Sequence, residues 1–219
     1  MPRLLFEKTA NAIWISHLDL MRVFQRAFKR AGLPLTHSHG FNPRPSVSIA
    51  LPLSVGVESH CELLDFALDG CDATNDEIRS RLNHALTAGV RVLDVYDETG
   101  KIRDLSLLRC EIHLDYDAGI SDDGMKSIQE LFSASSLTVP KKTKSGIQDQ
   151  DIIPMIRRLS VEREGQNSLV MDALICCQNP SLNPGQIILA VENYLPELKP
   201  DFSRCIRKEI YDINENVFR

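Results

Sequence analysis

Ser16-His17-Leu18-Asp19 opens the stretch whose reading decides the fold, and Gly40-Phe41-Asn42-Pro43-Arg44-Pro45 closes it. Ser16 has the form of an N-cap, and Asp19, three residues on, stands where a capping box has its glutamate. Leu20, Met21, Phe24, Phe28 and Ala31 recur at three- and four-residue spacing, which predicts an amphipathic helix over 17–31. Arg22, Arg26, Lys29 and Arg30 fall on its other side as a basic outer stripe. Gly32 supplies the stop with Pro34 just beyond, and Lys29 and Arg30 complement the negative end of the helix dipole.

Working outward, residues 3–8 and 12–15 read as a strand or a short hairpin before this helix. After it, Val47, Ile49, Leu51 and Leu53 alternate with Ser48 and Ala50 in a strand with one apolar face. A strand over 62–68, a helix over 72–87 and a strand over 90–96 follow. The order β-α-β-β-α-β is that of a ferredoxin-like unit. The polar run over 97–104 marks a boundary, so one domain is expected over 1–99 and a second over 104–219.

The second half repeats the order with an insertion. It reads as a strand over 105–116, a helix over 122–134, and a strand starting at 137–139. Lys141, Lys142 and Lys144 then lead into a loop over 145–150. Pro154 leaves 152–160 open between helix and strand, and a strongly apolar strand covers 168–177. Asn183 as cap and Pro184 at the first position start a helix over 184–195, and a strand over 204–213 closes the chain. The expected fold class is α+β: two tandem ferredoxin-like units with antiparallel sheets.

The chain of 219 residues has a formal net charge of −5. Residues 1–50 hold seven basic and two acidic residues, a net of +5, which leaves −10 on the other 169. One basic surface on an otherwise acidic molecule points to an anionic partner. No apolar run approaches 18 residues, so no membrane span is expected, and the N-terminus lacks the apolar core of a signal peptide. A cytoplasmic location follows as the expectation. The six cysteines form no C-x-x-C pair or iron–sulfur spacing and read as buried, reduced thiols.

His17 stands at the start of the helix, where the positive end of the dipole disfavours imidazolium and leaves a neutral ring free to act as a general base. Its alternative is a structural histidine packed under the Gly40 loop. His37 and His39 have the spacing that puts two imidazoles on one side of an extended segment. They lie about 20 Å from His17 along the helix, and a catalytic zinc needs three converging ligands, so no metal is expected. The loop matches neither phosphate-binding glycine pattern. Pro43 and Pro45 stiffen it, and Phe41 and Arg44 form a stacking and charge pair suited to single-stranded nucleic acid. Equally, Phe41 could plug the core with Arg44 solvated. Glu62 and Asp65, three apart on a strand, face opposite ways and make a poor acid/base pair.

On Ser16-His17-Leu18-Asp19, Arg22, Arg26, Arg30-Ala31-Gly32-Leu33-Pro34, Ser38 and Gly40-Phe41-Asn42-Pro43, the sequence resembles the radical SAM-linked bacterial domain-of-unknown-function family. Pro45, Ser48, Leu51-Pro52-Leu53, Gly56, Ser59 and Glu62 continue the match, while many members have histidine where Arg44 stands. The resemblance implies a radical SAM enzyme as partner, with S-adenosylmethionine, an iron–sulfur cluster and cobalamin expected there and no cofactor on this chain. It also implies a connection to RNA, tRNA or rRNA. The element order is similar to that of CRISPR repeat-processing ribonucleases, without their glycine-rich C-terminal loop.

Three functions follow as expectations, none involving a membrane. The first is an adaptor that binds RNA through Arg22, Arg26, Lys29, Arg30, His37, His39, Phe41, Asn42 and Arg44, more a binding protein than an enzyme. The second is an RNA endonuclease or RNA-modification subunit with His17 as base. The third is a domain that only docks on the radical SAM protein. Ser16, Asp19, Gly32, Pro34, Gly40, Pro43 and Pro45 are expected to shape the motif.

Overall fold

A computed structural model describes residues 1–143 and 146–219. The chain is α+β, with antiparallel pairing in the sheets described below and four α-helices among the described residues. It divides into two compact units, one of residues 1–104 with Arg219 and one of residues 105–218. No helix among the described residues is long and apolar enough to cross a membrane.

In the first unit, β1 (Pro2–Lys8), β3 (Glu58–Phe66) and β4 (Val90–Asp97) form the body of the sheet, and the short β2 (Val47–Ile49) pairs with β3. Their order is β4-β1-β3-β2. The helices α1 (His17–Arg30) and α2 (Asn75–Ala85) supply Leu20, Phe24, Ala27, Phe28, Ile78 and Leu82 to one core with Leu4, Phe6, Leu64 and Phe66 from the strands. Phe6 and Phe24 meet edge to face with centroids 4.7 Å apart, and Phe28 meets Phe66 at 5.0 Å. Arg3 alternates with Leu4 and therefore faces the other way, where its guanidinium donates to both oxygens of Asp65 at 2.6 and 3.1 Å.

Several expectations are corrected here. Residues 10–14 form a 3-10 turn rather than a strand. The Ile13 carbonyl accepts from Lys8 Nζ and from the Gly56 amide, and Thr9 N–H donates to Gly89 O, so the chain curls instead of extending. β2 stops at Ile49 and not at 53, because Leu51 adopts a positive φ of 46° and Pro52 has no N–H to give a ladder. α2 is trimmed to Asn75–Ala85 by Thr74, whose hydroxyl accepts from Glu77 N–H while Glu77 accepts from Thr74 N–H.

In the second unit, β5 (Leu107–Asp115), β8 (Ile156–Glu164), β9 (Ser168–Cys176) and β10 (Phe202–Tyr211) form a sheet in the order β10-β5-β9-β8. The helices are α3 (Asp122–Phe132) and α4 (Pro184–Tyr194). Val139 does not join this sheet. It lies in β6 (Thr138–Thr143), which among the described residues pairs with β7 (Gly146–Asp151) in a separate two-stranded sheet. That hairpin replaces the expected loop from 146 onward, and Lys144 and Ser145 lie outside the described residues. It is fastened down through Tyr194 Oη donating to Thr138 O and Lys141 Nζ donating to Ser181 O. Pro154 leads a single 3-10 turn, Ile153–Met155, before β8. None of the six cysteines, all among the described residues, is in a disulfide; Cys71 is half-buried and the others are buried. Burial pushes the Cys177 thiol up to about 11.

Candidate nucleic-acid interface

The helix α1 is fixed at both ends by its own sequence. Ser16 Oγ accepts from Asp19 N–H at 3.2 Å, the N-cap bond expected. The reciprocal half of the capping box is replaced. Asp19 is too short to reach back to the Ser16 amide and instead accepts from the Ser16 hydroxyl at 2.7 Å and from Arg22 at 2.8 Å. These bonds, Ser16 first and Arg22 second, hold the exposed Asp19 carboxyl below its usual range. At the other end Gly32 takes a φ of +65°, Leu33 N–H donates to Phe28 O and Gly32 N–H to Lys29 O. That pair of bonds is a Schellman stop, sealed by the buried Leu33.

The basic stripe is exposed, and its members differ in what they are free to do. Arg22 is paired with Asp19, and Arg30 donates to Ala85 O at 2.5 Å, where it caps the C-terminal end of α2. Arg30 therefore has a structural duty that the sequence reading did not assign. The Arg26 and Lys29 side chains have no ion pair or hydrogen bond among the described residues, and both residues are exposed. With Arg44, also exposed and without an acidic partner there, they leave three cations uncompensated.

The segment after Pro34 forms a narrow protrusion. Ser46 N–H donates to Thr36 O, Ser38 N–H to Arg44 O, and Arg44 N–H to Ser38 Oγ, while His37 bridges Pro45. Its base is tied to the strand end, with Thr36 N–H on Ala67 O and Ala67 N–H on Ser46 O. Residues 37–44 are all exposed, and Phe41 is entirely so. The ring does not plug the core. It stands at the tip of a stem whose backbone bonds are satisfied, with His39, Gly40, Asn42 and Pro43 beside it and Arg44 on the returning limb.

His17 is half-buried at the first position of α1, and its ring makes no hydrogen bond among the described residues. It lies at the opposite end of α1 in sequence from the His37–Pro45 protrusion, and no bond among the described residues joins the three histidines. Among the described residues no group of three or more His, Cys, Asp or Glu side chains could hold a metal ion. Glu62 and Asp65 are both buried, and Asp65 is occupied by Arg3.

The sequence reading missed Trp14 and Leu18, which are 67% and 69% exposed. Leu18 sits one turn before Arg22 on the same outer ridge. Reading 12–15 as strand gave Trp14 a sheet face; the 3-10 turn turns its indole out.

Solved structures resemble the chain in fold. A chain from the crystal structure of a Cbf5-Nop10-Gar1 complex matches 95% of this one at 7% identity and a TM-score of 0.53, and this chain spans 48% of it. The crystal structure of an unknown protein from Galdieria sulphuraria matches 97% of each chain at 11% identity, with a TM-score of 0.26 that carries no argument about fold. No curated protein matches the sequence. A family profile covers residues 2–184, most of the length, and on that match the chain belongs to the family described as "Uncharacterized protein conserved in bacteria (DUF2344)".

Proposed function

We propose that this is a cytoplasmic RNA-binding adaptor whose first unit holds unpaired RNA, with Phe41 stacking on a base and Arg26, Lys29 and Arg44 meeting phosphates. The observation that carries the reading is the fully exposed Phe41 on a hydrogen-bonded stem that also bears Arg44, on the unit whose Arg26 and Lys29 likewise have no acidic partner among the described residues. Base–aromatic stacking needs an open ring face on a stiff support, and phosphate binding needs unpaired charge. Both are present on one unit. The strand order within each unit supports reading the pair as two ferredoxin-like units, folds that offer sheet, helix and loop surfaces to RNA.

Following the resemblance, the adaptor would present its RNA, a tRNA or rRNA segment, to a radical SAM enzyme that carries the S-adenosylmethionine, the iron–sulfur cluster and cobalamin. His17, with no hydrogen-bonded group to orient its ring, is given no chemistry in this reading.

The test is binding of a labelled unpaired oligoribonucleotide to the full chain, against Arg26→Glu/Lys29→Glu. Salt-sensitive binding that the double variant abolishes is expected. Equal binding by both proteins would overturn the proposal and leave the stripe as a docking face for a protein.

A further inference from the structure

We infer that Trp14 is a second base-stacking platform, so that unpaired RNA runs along the outer ridge of α1 from the Trp14 indole toward the Phe41 ring. The inference rests on the RNA-binding reading above and extends it to the opposite end of the helix.

Trp14 is displayed by a turn that is otherwise fastened. Ile13 O accepts from Lys8 Nζ at 3.0 Å and from Gly56 N–H at 2.9 Å, Thr9 N–H donates to Gly89 O at 2.7 Å, and Ala12 is buried beneath. The indole rests against Gly56, where an added Cβ would lie 3.3 Å from its Cζ3 atom. Gly56 also has a φ of +84°, so the seat demands glycine twice over. A large ring held this firmly and still 67% exposed is pre-organised to receive a flat partner on its open side. Two more apolar side chains close to it in the chain or next to its seat are exposed, Leu18 at 69% and Val55, beside Gly56, at 54%.

The occupant is set by charge and by line. From Leu18 the exposed ridge continues through Arg22, Arg26 and Lys29, at intervals of three or four residues. The α1 segment from His17 to Arg30 extends about 20 Å at 1.5 Å per residue, and the Phe41 protrusion follows its C-terminal end. An aromatic platform before a cationic ridge and another after it is the layout of a sequence-tolerant single-strand groove, in which bases stack and phosphates track the cations. Neutral ligands would leave the ridge unused, and duplex nucleic acid has no free base faces to stack.

Trp14 is the only tryptophan in the chain, so its emission reports this one position. The full chain is titrated with a twelve-residue oligouridylate while a labelled copy reports binding by anisotropy. Quenching of Trp14 in step with binding is expected. Trp14→Ala should weaken binding by about five- to a hundredfold, with Trp14→Phe recovering most of the loss. Binding that neither quenches Trp14 nor responds to Trp14→Ala would overturn this inference and leave the loop reading standing. An absence of binding altogether would overturn both.

Discussion

The two units use one strand order, 4-1-3-2 by position within each, and differ in where their paired cations lie. In the second unit Arg109 is paired with Asp172, Arg158 with Glu215, Arg163 with Asp122 and Lys208 with Glu111. Its first helix, α3, begins with Asp122 and Asp123 and has no basic residue in its last turn. In the first unit α1 ends on Lys29 and Arg30, and Arg26, Lys29 and Arg44 have no acidic partner among the described residues. The connection after the first helix differs as well. In the second unit it is a β-hairpin tied down by Tyr194 and Lys141; in the first it is a stem that holds Phe41 in the solvent. A common frame thus carries one half with ion pairs spread over its sheet and α3, and one whose first helix and following loop hold exposed cations without an acidic partner among the described residues.

The largest effect separates the halves by charge. Arg26→Glu/Lys29→Glu should weaken binding of unpaired RNA by at least about 100-fold at low salt and flatten the slope of log K against log salt by about 1.4, two phosphates at about 0.7 each. Lys126→Glu/Lys142→Glu, exposed cations of the second unit, should leave affinity within about twofold. A comparable loss from both pairs, measured by anisotropy across a salt series, would erase the distinction.

Two phenylalanines of the first unit should then part company. Phe24→Ala removes a fully buried ring that contacts Phe6 and should cost about 3–5 kcal/mol in urea unfolding. Phe41→Ala should leave stability within about 0.5 kcal/mol, since the ring is wholly exposed, and yet cost about 1–3 kcal/mol of RNA affinity. Ile147→Ala, its exposed counterpart on the second unit's hairpin, should change neither.

Smaller effects sit at matched helix starts. Ser16→Ala and Ser121→Ala each remove an N-cap acceptor, at about 1 kcal/mol apiece. Only the first also disturbs Asp19, whose carboxyl is held low in the native state. Its contribution is present above the unfolded value near 3.9 and is lost as pH falls through the native one, so wild type and Asp19→Asn should converge in stability below about pH 4.

A pH effect is common to both units. Burial raises Tyr96 and Tyr116 to about 12. An unfolded chain releases these protons near pH 10, so between about 10 and 12 the native state binds more of them and stability falls as pH rises. Fluorescence-monitored unfolding from pH 9 to 11.5 should show the decline, and a flat profile would contradict the burial of these phenols.

Much of this was legible because local chemistry and tertiary packing agreed. Ser16, the Leu20–Phe24–Phe28 face and Gly32 specify α1, and the structure ends it within one residue of the expected 31. Asn183 and Pro184 do the same for α4. Legibility failed where long-range bonds set the conformation. The turn at 10–14 depends on Lys8, Gly56 and Gly89, none of which marks the local pattern around Trp14. Val139 alternates like a sheet strand, but its partner is Gln150 across a hairpin, a pairing no period reveals. Arg30 looked like one more member of a stripe, since nothing in its neighbourhood predicts Ala85 O, 55 residues on. The exposure of Phe41 was equally invisible. An aromatic in a glycine- and proline-punctuated loop suits a core plug or an exposed tip, and with the stem tied from Thr36 to Ala67 the ring is left in solvent.

The most direct measurement is ultraviolet crosslinking of the full chain to a uridine-rich unpaired RNA, with adducts assigned to residues by mass spectrometry. The account predicts adducts on peptides containing Phe41 and Trp14, lost in Arg26→Glu/Lys29→Glu. Adducts confined to residues 105–218, or no adduct above a charge-matched control protein, would contradict it.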